Sequence, residues 1–223
     1  MMMERQMMAR RARYGVGRLL VHAAIALFAI GAGPARAAAP LIWALGDSLT
    51  AGYGLPPKDG FTTRLQAALH QAGVPATVRN GGISGDTSAQ GRARLLWGLR
   101  GLGTKPDLVI VELGANDMLR GLAPDQAAAN LDAILAELQR RHIPTLLAGM
   151  KAAPNMGATY RRAFDTMYPR LARAHGASLY PFFLDGVAGN RLLLQADGLH
   201  PNAQGVKIIV GRMVPAVKAA LGR

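Results

Sequence analysis

DLVIVELG, residues 107–114, is the stretch on which the fold turns. Apolar side chains occupy both of its alternations and Glu112 is the one break, so it reads as a strand with no polar face, covered on both sides. Sheets of that kind are parallel, and their strands are joined by helical crossovers. Working outward, runs of strand length recur at 41–45, 76–78, 145–149 and 178–183. Segments of helical spacing lie between them: Phe61, Leu65, Ala68 and Leu69 share one face, as do Leu131, Ile134, Leu135 and Leu138, and a last helix covers 203–221. This alternation predicts a single α/β domain with a parallel sheet and helices on both of its faces. There is no internal repeat and no low-complexity linker.

In such a sheet the carboxyl ends of the strands lie along one edge, where α/β proteins place their chemistry. Three turns converge there: Gly46-Asp47-Ser48 after the first strand, NGGISGDT (80–87) after the second, and Gly114-Ala115-Asn116-Asp117 after the third. Ser48 at the first bend is a candidate nucleophile, although serine is also a common turn residue and helix cap. A serine hydroxyl needs a base, and neutral imidazole suits that task near pH 7. His70, His142 and His175 each stand at the end of a proposed helix, where an imidazole complements the helix dipole. His200 differs, because it lies in the turn-rich segment DGLHPN (197–202) with Asp197 three residues before it. A loop carrying both lets the carboxylate hold Nδ1–H and leaves Nε2 free as base. Acyl transfer also needs donors for a developing oxyanion. Gly85 and Asn116 sit in the remaining turns, each with an equally simple structural role: a positive φ for the glycine and a turn cap for the asparagine. Ser84 and Ser88 do not close a strand and read as structural. Asp47 reads as a turn former, and Glu112 is left without a role.

Taken together and in this order, GDSLTAGYGL (46–55), GGISGDTSAQG (81–91), GANDMLRGL (114–122) and DGLHPN (197–202) resemble the blocks of the SGNH hydrolases, also called GDSL lipases and esterases. The likeness is to the bacterial branch of thioesterase I, lysophospholipase L1 and arylesterase. It implies a three-layer α/β/α sandwich of flavodoxin-like type. It implies Ser48 as nucleophile, His200 as base and Asp197 as its orienting partner, with the Ser48 N–H, the Gly85 N–H and the Asn116 amide as oxyanion donors. No cofactor and no metal are expected. The segment APNMGATY (153–160) resembles that branch's substrate-side loop, which nominates Met156 and Tyr160 as substrate-binding. Two departures are Ala115, where many relatives carry a second glycine, and Met156, where close relatives tend to carry an aromatic. The activity implied is hydrolysis of carboxylic esters and thioesters, of acyl, lysophospholipid or aryl type. A carbohydrate O-deacetylase is the second enzyme reading, and a lipid- or glycan-binding module without turnover is the third.

The amino-terminal residues stand apart from this domain. Residues 1–18 are rich in arginine with a single acid, 19–33 are almost wholly apolar, and Ala35-Arg36-Ala37 places small residues where a signal peptidase reads them. Residues 1–37 therefore read as a signal peptide, with cleavage after Ala37 preferred over Ala38 or Ala39, and residues 38–223 as the hydrolase domain. The apolar stretch is short of the roughly 20 residues a spanning helix needs, so a permanent anchor is the weaker reading. Arg10-Arg11 leaves a twin-arginine route open. The expected location is periplasmic or secreted.

The chain carries a formal charge of +13, and residues 38–223 keep 20 basic against 12 acidic side chains, a balance of +8. These cations are scattered singly, which favours solubility and peripheral contact with an anionic membrane surface over nucleic-acid binding. The chain has no cysteine, which excludes a thiolate nucleophile, a Cys-ligated zinc, disulfides and lipidation at cysteine. The expected partner is a small-molecule or lipid ester. Nothing in the sequence sets an oligomeric state.

Overall fold

The computed structural model describes residues 39–223; the expected signal peptide lies outside the described residues. Five strands form one parallel sheet: β1 (Leu41–Gly46), β2 (Thr77–Gly82), β3 (Leu108–Glu112), β4 (Thr145–Ala148) and β5 (Ser178–Tyr180), in the order β2-β1-β3-β4-β5. Every residue of β3 is buried, as its two-sided apolar pattern requires.

The chain steps one way from β1 to β2 through α2 (Phe61–Gln71). It then crosses back through α3 (Ser88–Gly101) to β3 and continues outward, past the short α4 (Ala115–Leu119), through α5 (Pro124–Arg140) and α6 (Ala158–His175). Crossovers between parallel strands are right-handed, so reversing the direction moves the helices to the other face. Accordingly α2 packs with the last helix, α7 (Ala203–Ala220), while α5 packs with both α3 and α6. The result is the expected three-layer α/β/α sandwich. The reversal falls between β1 and β3, whose carboxyl ends form the crevice where open α/β sheets bind their ligands. No helix among the described residues is long and apolar enough to cross a membrane.

Local chemistry sets where the helices begin. Asp47 caps the short helix α1 (Ser48–Ala51) by accepting the Leu49 N–H at 2.9 Å. Thr87 and Gln90 form a reciprocal capping box on α3. Asn202 caps α7, accepting the N–H groups of Gln204 and Gly205 at 3.0 Å, and its own amide donates to Leu192 O at 2.9 Å. Such caps satisfy backbone donors that a helix start otherwise leaves open.

Strand β2 departs from the sequence expectation. It was expected over 76–78 and instead runs through Asn80-Gly81-Gly82, taking in part of what read as a turn. The glycines are there for close approach. A Cβ on Gly81 would meet Trp43 Nε1 at 2.2 Å, and one on Gly82 would meet the Ala51 backbone nitrogen at 2.2 Å and Asp47 O at 2.8 Å. β2 is an edge strand, where the poor strand propensity of these residues is tolerated. Strand β5 is shorter than expected and stops before Pro181, which cannot donate to the ladder.

Because the obstacles at Gly82 are backbone atoms, Gly82→Ala has to displace α1 and with it Ser48. The expected cost of this overpacking is about 1–3 kcal/mol, seen as a Tm lower by at least about 2 °C and accompanied by lower activity. An unchanged Tm would mean that α1 is not held against β2.

Candidate active site

β1 delivers the chain to the sheet's carboxyl edge at Gly46, Asp47 turns it, and Ser48 becomes the first residue of α1. Its hydroxyl stands in the crevice, half-buried. From the far end of the chain the Asp197–His200 loop reaches the same place. His200 Nε2 lies 2.9 Å from Ser48 Oγ, and His200 Nδ1 lies 2.7 Å from Asp197 Oδ2. A carboxylate only accepts, so the Nδ1 proton belongs to that contact, and Nε2 carries the lone pair that accepts the Ser48 hydroxyl.

The loop is held by its own turn and by two outside braces. Asp197 Oδ1 accepts the N–H of His200 at 3.0 Å and of Leu199 at 2.9 Å. These two bonds, with the imidazole behind them, hold the Asp197 carboxyl down to about 2, so it stays ionised wherever imidazole changes charge. Gln195, which sequence reasoning did not single out, donates its amide to Tyr53 O at 2.8 Å and to Pro201 O at 3.0 Å, tying the loop to the segment after α1. The Tyr53 ring lies 4.6 Å from the imidazole, tilted by 41°. The other three described histidines stand at helix ends, as expected. His70 bonds Ala76 O at 2.7 Å, His142 sits just past α5 at φ 53°, and His175 faces Asp132 at 2.8 Å.

Gly85 and Asn116 arrive from the turns after β2 and β3 and line the same cleft as Ser48 and His200. Gly85 adopts φ +87°, a conformation that glycine enters without strain. Neither its N–H nor that of Ser48 has an acceptor among the described residues. Asn116 Nδ2 donates to Asp47 Oδ2 and to Asp86 O, both at 3.0 Å.

Under this surface lies a polar layer that the sequence did not disclose. Asp47 is fully buried and is more than a turn former, since it caps α1 with one oxygen and holds the Asn116 amide with the other. Glu112, at the end of β3, is fully buried and has no arginine partner among the described residues. Its Oε2 instead accepts the Thr50 hydroxyl at 2.8 Å and the Asp47 N–H at 3.4 Å. Burial, and then the neighbouring Asp47 charge, push the Glu112 carboxyl well above its ordinary range. Burial also raises Asp47, to about 6, against the pull of the Leu49 N–H and of the Glu112, His200 and Asn116 side chains. Arg94 spends its charge beside them, with Nη2 on Gly46 O at 2.8 Å and Nε on Asp86 Oδ2 at 2.5 Å. Ser88 is structural, donating to Asp117 Oδ1 at 2.6 Å, while Ser84 lines the cleft with no hydrogen bond to a histidine among the described residues.

The cleft has a volume of about 760 Å³, and away from the polar end its walls are mostly apolar, with Met150, Pro154, Phe182 and Leu184 among them. The substrate-side nomination of Met156 and Tyr160 needs correcting. Neither lines this cleft: the wall comes from Lys151 to Pro154, just before them. The turn at Pro154–Met156 leads the chain into α6, so that Met156 packs against the core. The Tyr160 hydroxyl donates to Leu122 O at 2.9 Å, and its ring stacks on Phe164.

The chain is similar to known proteins in sequence and in fold. The model of the GDSL-like lipase/acylhydrolase family matches residues 44–208. Esterase TesA of Pseudomonas aeruginosa is 39% identical over 186 residues, spanning 83% of this chain and 92% of that protein. Thioesterase 1/protease 1/lysophospholipase L1 of Escherichia coli K12 is 39% identical over 166 residues, spanning 74% and 77%. Among solved structures, the SGNH-hydrolase family esterase AlinE4 aligns with a TM-score of 0.70 at 50% identity, covering 82% of this chain and 97% of that one. The crystal structure of TesA aligns with a TM-score of 0.76 at 38% identity, covering 81% and 99%. Family match, relatives and fold agree with the chemistry of the crevice between β1 and β3: the chain belongs to the GDSL-like lipase/acylhydrolase family and is a hydrolase of carboxylic esters.

Proposed function

We propose that the chain hydrolyses medium-chain acyl and aryl esters, and the matching thioesters, through an acyl-enzyme on Ser48. The observation that carries this reading is the line Ser48 Oγ, His200 Nε2, His200 Nδ1, Asp197 Oδ2, with contacts of 2.9 and 2.7 Å, opening onto an apolar cleft.

In this reading Ser48 Oγ bonds to the carbonyl carbon as its proton passes to His200 Nε2, and Asp197 steadies the imidazolium that forms. The carbonyl oxygen becomes an oxyanion, facing the N–H groups of Ser48 and Gly85 and the Asn116 amide. Collapse breaks the bond to the leaving oxygen or sulfur, which takes the proton from His200. Water then gives a proton to His200, attacks the acyl-enzyme, and the acid leaves as Ser48 recovers its hydrogen.

Residues 1–37 act as a signal peptide in this proposal, so the domain works outside the cytoplasm. Its +8 balance suits peripheral contact with anionic surfaces.

The test is a kcat/KM profile over acyl length, with p-nitrophenyl esters from acetyl upward and matched thioesters. Burying one methylene in an apolar wall is worth about 0.8 kcal/mol, so kcat/KM should climb by up to about fourfold per carbon until the cleft is filled. A profile that peaks at acetyl and collapses beyond it, together with acetate release from acetylated glycans, would replace this reading with the O-deacetylase.

A further inference from the structure

We propose that Gln195 is a positioning residue that keeps His200 in place while Ser48 carries an acyl group. The inference rests on the reading of Ser48 as the acylated nucleophile, and it assigns work to a residue outside the nucleophile, base and oxyanion set.

Base and nucleophile come from opposite ends of the chain, so contacts between the two segments have to hold them together. Of the hydrogen bonds among the described residues, two join residues 195–201 to the segment that starts at Ser48. One is the reacting contact itself, His200 Nε2 to Ser48 Oγ at 2.9 Å. The other runs from Gln195 Nε2 to Tyr53 O at 2.8 Å. Each end of this brace is tied to a reacting residue. The Tyr53 N–H donates to Ser48 O at 3.0 Å. The Gln195 N–H donates to His200 O at 2.7 Å, and its amide donates also to Pro201 O at 3.0 Å. Both side-chain partners are carbonyl oxygens, so the NH2 is the end of the amide that faces them. Brace and reacting contact close a ring from Ser48 through Tyr53, Gln195 and His200 back to Ser48. A Cβ on Gly54, whose φ is +71°, would collide with Gln195 Oε1, so the chain leaves that place open for the amide.

Acylation opens the ring at one point. Once Ser48 Oγ is part of an ester it has no proton to give, and His200 Nε2 loses its donor. The imidazole must still stand where it can take a proton from water. Asp197 orients the ring but bonds Leu199 and His200 within its own loop, so it moves with the loop and does not hold it to Ser48. The bond from Gln195 to Tyr53 O is then the hydrogen bond that still spans the two segments, with the Tyr53 ring packed 4.6 Å from the imidazole beside it. A side chain that matters more after acylation than before it acts on deacylation. Misplacing His200 by about 1 Å is enough to cost about 100-fold in that step. Gln195 is half-buried and does not line the cleft, so replacing it leaves the substrate's own surface unchanged.

The test is Gln195→Met in the full chain, with p-nitrophenyl butyrate as substrate. Met keeps the bulk and offers no N–H to either carbonyl. Acylation is read from kcat/KM, because release of p-nitrophenolate ends that half of the reaction. Deacylation is read from the steady turnover rate divided by the fraction of enzyme carrying butyryl, taken by acid quench and intact mass. The deacylation rate constant is expected to fall about 10- to 100-fold, and kcat/KM to fall at least about threefold less. A domain that was only loosened would lose both steps alike. Deacylation within threefold of the parent overturns the inference, and so does an equal loss in the two steps. Where Gln195→Met does not fold, Gly54→Ala reads the same link, since its methyl group pushes the amide off Tyr53 O. The same split between the steps is expected there, and its absence overturns the proposal. If a p-nitrophenyl phosphonate ester does not label Ser48 in the parent, the acyl-enzyme reading fails and this inference with it; if Ser48 is labelled and deacylation in the Gln195 variant is untouched, only this inference fails.

Discussion

Ser48→Ala is expected to lower kcat on p-nitrophenyl butyrate by about 10⁴- to 10⁶-fold. It should leave the fold in place. The hydroxyl has one partner among the described residues, His200 Nε2, and losing that bond costs about 0.5–1.5 kcal/mol, a Tm shift of a few degrees at most. The catalytic loss is large because neither of the other serines in these turns is placed to take over: Ser88 is buried on Asp117, and Ser84 lines the cleft with no hydrogen bond to a histidine among the described residues. The N–H groups of Ser48 and Gly85 and the Asn116 amide remain in the variant, so residual turnover would report what oxyanion binding does alone. Activity within tenfold of the parent would dismiss Ser48 as nucleophile and point to Ser84.

How much of this was legible from residues alone follows from where each signal resides. β3 declared itself because burial on both faces leaves an unbroken apolar run, and with it came the sheet and the helical layers. β2 did not, because its glycines answer to Trp43 and α1, partners distant in the chain, and local propensity carries no trace of them. Ser48 and the Asp197–His200 loop were visible as polar, turn-forming residues at the end of a strand and ahead of a helix. Gly85 and Asn116 were ambiguous by chemistry alone and gained roles only through the likeness of four blocks taken together. Met156 and Tyr160 were misplaced since a loop's path depends on what it packs against: the cleft wall is made by Lys151 to Pro154, and Tyr160 is turned to Leu122. The buried pair Asp47 and Glu112 was invisible for a related reason. A carboxylate in a sequence looks solvated, and only the fold shows that both are sealed under the turn that carries Ser48.

Asn116→Ala carries the second large effect, a kcat lower by about 100- to 1,000-fold, or about 2.7–4 kcal/mol of transition-state stabilisation. KM should change little. In the free protein both Nδ2 hydrogens are engaged, by Asp47 Oδ2 and Asp86 O, so the amide has no spare donor for a ground-state carbonyl. A full negative charge on the substrate oxygen competes far better than a neutral carbonyl for one of those hydrogens, and an interaction won only as charge develops appears in kcat. Alanine also deprives the buried Asp47 of a donor, which should cost about 1–3 kcal/mol of stability, so rates have to be taken well below the variant's own Tm. Asn116→Asp sharpens the point, because it keeps the shape but sets a carboxylate against Asp47 and against the oxyanion itself. It should be slower than Ala. A loss below threefold in the alanine variant would leave the oxyanion to the Ser48 and Gly85 N–H groups alone, whereas an Asp variant as fast as Ala would mean that the side chain at 116 does not face the developing charge.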